Sequence, residues 1–131
     1  MTVPKSKRKP TTMQFLHTAR VLESYCVERW DNSSSTLLRE VVLLSVQVHI
    51  HASAANSIYP ENQGEAKERK KQLKLALASI FSLKHQVSIA YRHQLISTGV
   101  VKELNEHIEH EKALLKGILK KDRERYKGLP L

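Results

Sequence analysis

Apolar residues return at three- and four-residue steps along almost the whole chain, and that period belongs to the α-helix. Phe15, Leu16, Ala19, Leu22, Cys26 and Trp30 mark one face of a first helix, which Thr11 or Thr12 can cap and which should end near Trp30. The link Asp31-Asn32-Ser33-Ser34-Ser35 favours turns and caps because its side chains compete for backbone hydrogen bonds, so Ser35 or Thr36 should start a second helix. That helix carries Leu37, Leu38, Val41, Val42, Leu44, Val48, Ala52 and Ala55 on more than one side, which predicts the most buried position of the set. Ala52, Ser53, Ala54 and Ala55 are small enough for close helix approach.

Asn56 to Gly64 contains Tyr59-Pro60 and should break the chain. Glu65 through Ser97 then reads as one helix, about 50 Å long if continuous, with a stripe of Leu73, Ala76, Leu77, Ile80, Leu83, Val87, Tyr91 and Leu95 that only Lys84 spoils. Thr98-Gly99 interrupts it, and Val101, Leu104, Ile108, Glu111, Leu115, Ile118 and Leu119 outline a last helix. Four helices with short links predict an all-α, antiparallel up-down four-helix bundle over residues 12–120. A basic arm (1–11), which would need a partner to become ordered, and a basic tail (121–131) flank it. No repeat of solenoid length and no sustained heptad seam is visible.

The chain carries a formal net charge of +9, and the excess sits at its ends. Residues 1–10 hold four basic and no acidic side chains; residues 112–131 hold seven basic against two acidic; the stretch between balances eleven against eleven. A neutral body with two cationic ends suits a polyanion better than a small acidic ligand, because every phosphate neutralised releases counterions. The single Cys26 provides no internal disulfide and fits a reducing compartment. The apolar run Val41–Val48, broken by Ser45 and Gln47, is far too short to span a bilayer, and the basic N-terminus is not followed by the apolar core of a signal peptide. A cytoplasmic protein without membrane contact is expected.

Catalytic chemistry finds little footing. His107 and His110 lie three apart among Glu103, Glu106, Glu109 and Glu111, but two adjacent ligands need partners from another helix, and a solvated charged face is the plainer reading. His49 and His51, two apart on a helix, point about 200° from one another and cannot chelate together. His17, His85 and His93 are isolated, and Cys26 lies on an apolar stripe where a small hydrophobe belongs. No Gly-rich phosphate loop, Gly-x-Ser-x-Gly elbow, zinc-knuckle spacing or helix-turn-helix occurs. Neither an enzymatic activity nor a metal or other cofactor is expected.

The basic clusters remain. Lys67, Lys70, Lys71 and Lys74 share one face of the third helix by their spacing. With Lys5, Lys7, Arg8 and Lys9 of the arm and the run Lys120, Lys121, Arg123, Arg125 and Lys127, they form the candidate nucleic-acid-binding set, against the alternative of a merely solvated surface. Aromatic residues are scarce and only Tyr126 lies inside a basic run, so phosphate contact is expected to outweigh base stacking.

Three segments carry a resemblance: the opening Val3-Pro4-Lys5-Ser6-Lys7-Arg8-Lys9, the link Ala54-Ala55-Asn56-Ser57-Ile58-Tyr59-Pro60, and the ending Lys121-Asp122-Arg123-Glu124-Arg125-Tyr126-Lys127. With the helix layout and charge, they resemble the accessory variability determinants of bacterial diversity-generating retroelements, four-helix proteins similar in fold to those encoded in ribosomal-RNA intervening sequences. The resemblance implies a homopentamer that binds a reverse transcriptase and its template RNA and supports mutagenic cDNA synthesis without being the polymerase; the basic arms and the third-helix face would hold RNA or DNA alike. Two rivals stand beside it: an oligomerising protein-interaction module that ignores nucleic acid, and a metal-dependent enzyme.

Overall fold

The computed structural model describes residues 14–131, which form four helices: α1 (Gln14–Trp30), α2 (Thr36–Asn56), α3 (Gln63–Arg92) and α4 (Thr98–Tyr126). Among the described residues α2, α3 and α4 begin on a side chain suited to the task, whereas Thr11 and Thr12, expected to cap α1, lie outside them. Ser35 Oγ accepts the amide of Leu38, Asn62 Oδ1 that of Glu65, and Ser97 Oγ that of Val100, each satisfying a first-turn N–H that no helical carbonyl can reach.

The end of α3 departs from the sequence reading. The helix stops at Arg92, and Gln94 takes the left-handed conformation at φ 61°. The Leu95 amide returns to the Ala90 carbonyl and the Gln94 amide to that of Tyr91, each at 3.0 Å, which is the Schellman closure. Glycine usually fills that position; with glutamine there, nothing in the sequence announces the stop. Thr98 and Gly99, read as the interruption, instead form the first turn of α4. At the other end, residue 120 is no boundary, because α4 continues to Tyr126.

The helices form a four-helix bundle in which α1 packs on α2, α2 on α3, α3 on α4 and α4 back on α1. Arg69, near the start of α3, meets Asp122 near the end of α4, whereas Lys84 further along α3 meets Glu109 further back in α4. These two helices therefore run in opposite directions. Phe15, Leu22, Val41, Val48, Leu73, Ile80, Leu83, Leu104, Ile108 and Leu115 fill the centre without solvent exposure. Ala52, Ala55, Ala76 and Ala90 are equally buried on α2 and α3 and leave no side-chain bulk between the backbones.

α2 is less enclosed than its composition predicts. Leu43 and Ile50 stand 55% exposed, and with half-buried Val46 they follow three- and four-residue steps along its outward face. Among the described residues, no helix is long and apolar enough to cross a membrane.

Candidate nucleic-acid interface

Helical spacing sorts the cations before any contact is considered. On α3, Lys67, Lys70 and Lys74 share a face with Phe81, which falls two turns beyond Lys74; all four are exposed. On α4, Lys112, Lys116, Lys120, Arg123 and Lys127 follow one another at steps of four or three and line one flank. The two rows face each other across the α3–α4 seam: the ammonium groups of Lys112 and Lys116 each lie 5.7 Å from the centroid of the Phe81 ring. Lysines from two segments of sequence thus meet in one strip.

Near the chain's end the strip deepens into a groove of about 470 Å³, lined by Gln63, Ala66, Lys67, Lys70 and Lys74 from α3 and by Leu119, Asp122, Arg123, Tyr126 and Lys127 from the end of α4. Two polar devices fix its walls. Buried Arg69 donates from Nε to Asp122 Oδ2 at 2.6 Å and from Nη1 to the carbonyls of Ala55 at 3.0 Å and Ile58 at 3.4 Å, so one guanidinium ties α3 to α4 and to the end of α2. Arg69 is thereby a structural cation, and Asp122 neutralises it. Gln63, in the first turn of α3, donates from Nε2 to the carbonyls of Tyr126, Lys127 and Leu129, while its own amide reaches that of Pro130 at 2.8 Å. The Tyr126 and Lys127 carbonyls close α4 and those of Leu129 and Pro130 follow it, so Gln63 supplies donors to the end of the helix and holds the chain end beside the lysines.

The cations of the groove are little neutralised. Within the candidate set, only Lys127 forms an ion pair among the described residues, with exposed Glu124 at 2.9 Å. At the far end of the seam Glu109 accepts from Lys112 and Lys84, and these two hydrogen bonds hold its carboxyl down at about 2. The seam runs from a neutralised end to an open cationic one.

Of the residues singled out from sequence, the structure gathers Lys67, Lys70, Lys74, Arg123 and Lys127 around the groove, and Lys120 follows on the same flank of α4. Lys71 is exposed outside the groove lining, and Lys121 and Arg125 fall by spacing on the other side of α4. Lys5, Lys7, Arg8 and Lys9 lie outside the described residues. Sequence reading passed over Lys112, Lys116, Phe81 and Gln63. The first two continue the four-residue step back from Lys120, and Phe81 is an aromatic set off the apolar stripe in line with the lysines; both signals were available.

The groups weighed for other chemistry are engaged or dispersed. His49 pairs with Glu23, His51 Nδ1 lies 2.9 Å from Gln72 Oε1, the His107 ring sits 5.1 Å from that of Tyr25, and His17, His85, His93 and His110 are exposed. No group of three or more potential metal ligands gathers among the described residues. Cys26 is buried, and burial pushes its thiol up to about 12 although the hydrogen bond with Ser45 acts the other way. A thiol so protonated is a poor nucleophile. No family model, curated protein or solved structure matches this chain.

Proposed function

We propose that the protein is a non-catalytic nucleic-acid-binding subunit whose α3–α4 seam holds the phosphate backbone, and that it serves as an accessory factor to a reverse transcriptase and its template RNA in mutagenic cDNA synthesis. One observation carries the binding half of this reading: Lys67, Lys70 and Lys74 share one groove with Arg123 and Lys127, although more than forty residues separate the two clusters in sequence. Like charges repel, and among these five only Lys127 has a carboxylate partner among the described residues, so their assembly costs the bundle stability and a polyanionic ligand relieves that repulsion. The retroelement half, with the homopentamer it implies, rests on the resemblance of the three quoted segments.

A gel-shift titration over a salt series tests the binding. The wild type should bind RNA at low salt with an affinity that falls steeply as salt rises, and Lys67→Glu/Lys70→Glu/Lys74→Glu should weaken it and flatten the logarithmic salt slope by about 0.7 to 0.9 per lost phosphate contact. No binding to RNA or DNA at low salt refutes the proposal. Co-purification with a reverse transcriptase encoded beside the gene tests the retroelement half separately.

A second reading, a self-associating protein-interaction module, draws on the outward face of α2, where Leu43 and Ile50 are more than half exposed. Light scattering separates the two: a stable oligomer with no affinity for nucleic acid favours the second.

A further inference from the structure

Cations alone explain a phosphate ligand, but they do not explain what they surround. Tyr126 is half-buried in the groove wall beside Leu119, with the Arg69 and Arg125 guanidinium carbons 6.0 and 5.9 Å from its ring centroid. Phe81 is 48% exposed at the same seam between Lys112 and Lys116. Phe81 and Tyr126 are therefore aromatic stations on one cationic track, about 20 Å apart at the helical rise along α4 from the Lys112–Lys116 level to Tyr126. From these placements we infer that the seam binds an unpaired polynucleotide strand, its bases stacked on Tyr126 and Phe81 and its phosphates on Lys116, Lys120, Arg123 and the groove lysines, since Lys112 is held by Glu109.

A duplex hides its base faces in its own stack, so it can engage the lysines but has nothing to lay on either ring. An unpaired strand presents π-faces and phosphates together, and aromatic rings interleaved with cations answer both. Leu119 and the ring of Tyr126 give the groove an apolar wall that a phosphate would not use. No duplex-reading helix projects from this surface: both rows lie along the flanks of packed helices, and the groove between them is concave.

The inference rests on the nucleic-acid reading above, and the experiment is chosen so that the two can fail separately. Fluorescence anisotropy of the full chain is measured with a labelled 20-mer RNA, its DNA counterpart, and the duplex of each, at one salt concentration. Single strands of either sugar should bind about tenfold or more tightly than the duplexes. Phe81→Leu and Tyr126→Leu should each lower single-strand affinity by roughly five- to a hundredfold, the range expected for one lost stack, while duplex affinity and the salt slope hold. Tyr126→Phe, which keeps the ring and loses only the hydroxyl, should bind as the wild type does, and circular dichroism melting confirms that each variant is folded. Equal affinity for single strand and duplex, or a folded Tyr126→Leu/Phe81→Leu double variant with unchanged single-strand binding, overturns the inference and leaves phosphate binding standing. Binding to neither form at low salt overturns both.

Discussion

Glu111 sits on the core-facing side of α4 between Ile108 and Leu115, has no solvent exposure, and finds no hydrogen-bond partner for either carboxyl oxygen among the described residues. Burial raises its pKa from 4.5 to about 9 because a carboxylate there would lose its hydration and gain nothing in exchange. At neutral pH the folded protein therefore carries Glu111 as the neutral acid, whereas the unfolded chain ionises it. The folded state binds the extra proton throughout the window between those two values, so stability should be greatest below pH 4.5 as far as this group is concerned, and should fall as pH rises toward 9. At a limiting slope of about 1.4 kcal/mol per pH unit, the loss between pH 5 and pH 8 is on the order of 4 kcal/mol.

Glu111→Gln keeps the shape of the protonated side chain and removes the titration, and Glu111→Leu also removes the unpaired polar atoms. Urea unfolding followed by circular dichroism at pH 5, 6, 7 and 8 should show both variants flatter with pH than the wild type, with Glu111→Leu the more stable protein at pH 8 by roughly 3 kcal/mol or more. Glu109 also titrates away from its ordinary range, but its lowered value places its effect below pH 4.5, where stability is lost as pH falls toward 2. The two windows do not overlap. If the wild type and Glu111→Gln lose stability in parallel between pH 5 and pH 8, the carboxyl is ionised in the folded state and the reasoning fails.

Three further outcomes follow from the same geometry. Replacing Gln94 by Gly should stabilise the bundle by about 0.5 to 1 kcal/mol, since a side chain in the left-handed region is strained and glycine is not; an unchanged urea midpoint contradicts this. Asp122→Ala should cost about 3 to 5 kcal/mol by leaving the Arg69 guanidinium buried and uncompensated, whereas Arg69→Met/Asp122→Leu should recover most of that in thermal melting. The free protein should melt at higher temperature as salt rises from 50 to 500 mM, because screening relieves repulsion along the seam, while its complex with RNA weakens over the same range; a melting temperature that falls with added salt means that the seam is not self-repelling.

Where the sequence was legible, it was so for local reasons. The four apolar stripes, the turn at Tyr59-Pro60 and the cap at Ser35 are properties of neighbours within one or two turns, and the helices appear where those signals stand. The end of α3 was hidden because its left-handed residue is Gln94 and not a glycine. Glu111 could be placed on the stripe of α4 by spacing, but whether it snorkels out or stays buried depends on the packing of the other helices around it. The candidate site divides in the same way. That Lys67, Lys70 and Lys74 share a face is readable from their steps, while their meeting with Arg123 and Lys127 depends on the register of α3 against α4, which Arg69–Asp122 sets across 53 residues.

The two functional readings draw on different sides of the bundle, and that separation makes them compatible. In the packing order α1, α2, α3, α4, helix α2 stands diagonally across from α4, so its outward face with Leu43, Val46 and Ile50 points away from the groove at the end of α4. Copies joined through α2 would each keep a seam open to solvent. A strand long enough to touch two seams would then bind its second site at the high local concentration fixed by the assembly, and avidity would exceed that of a single groove. The consequence is measurable on the protein as it stands: Leu43→Glu/Ile50→Glu, which places charge on the α2 face and leaves every seam residue intact, should dissociate such an assembly in light scattering and reduce affinity for a long RNA far more than for a short one. Equal losses for both lengths would mean that α2 and the seam are not independent surfaces.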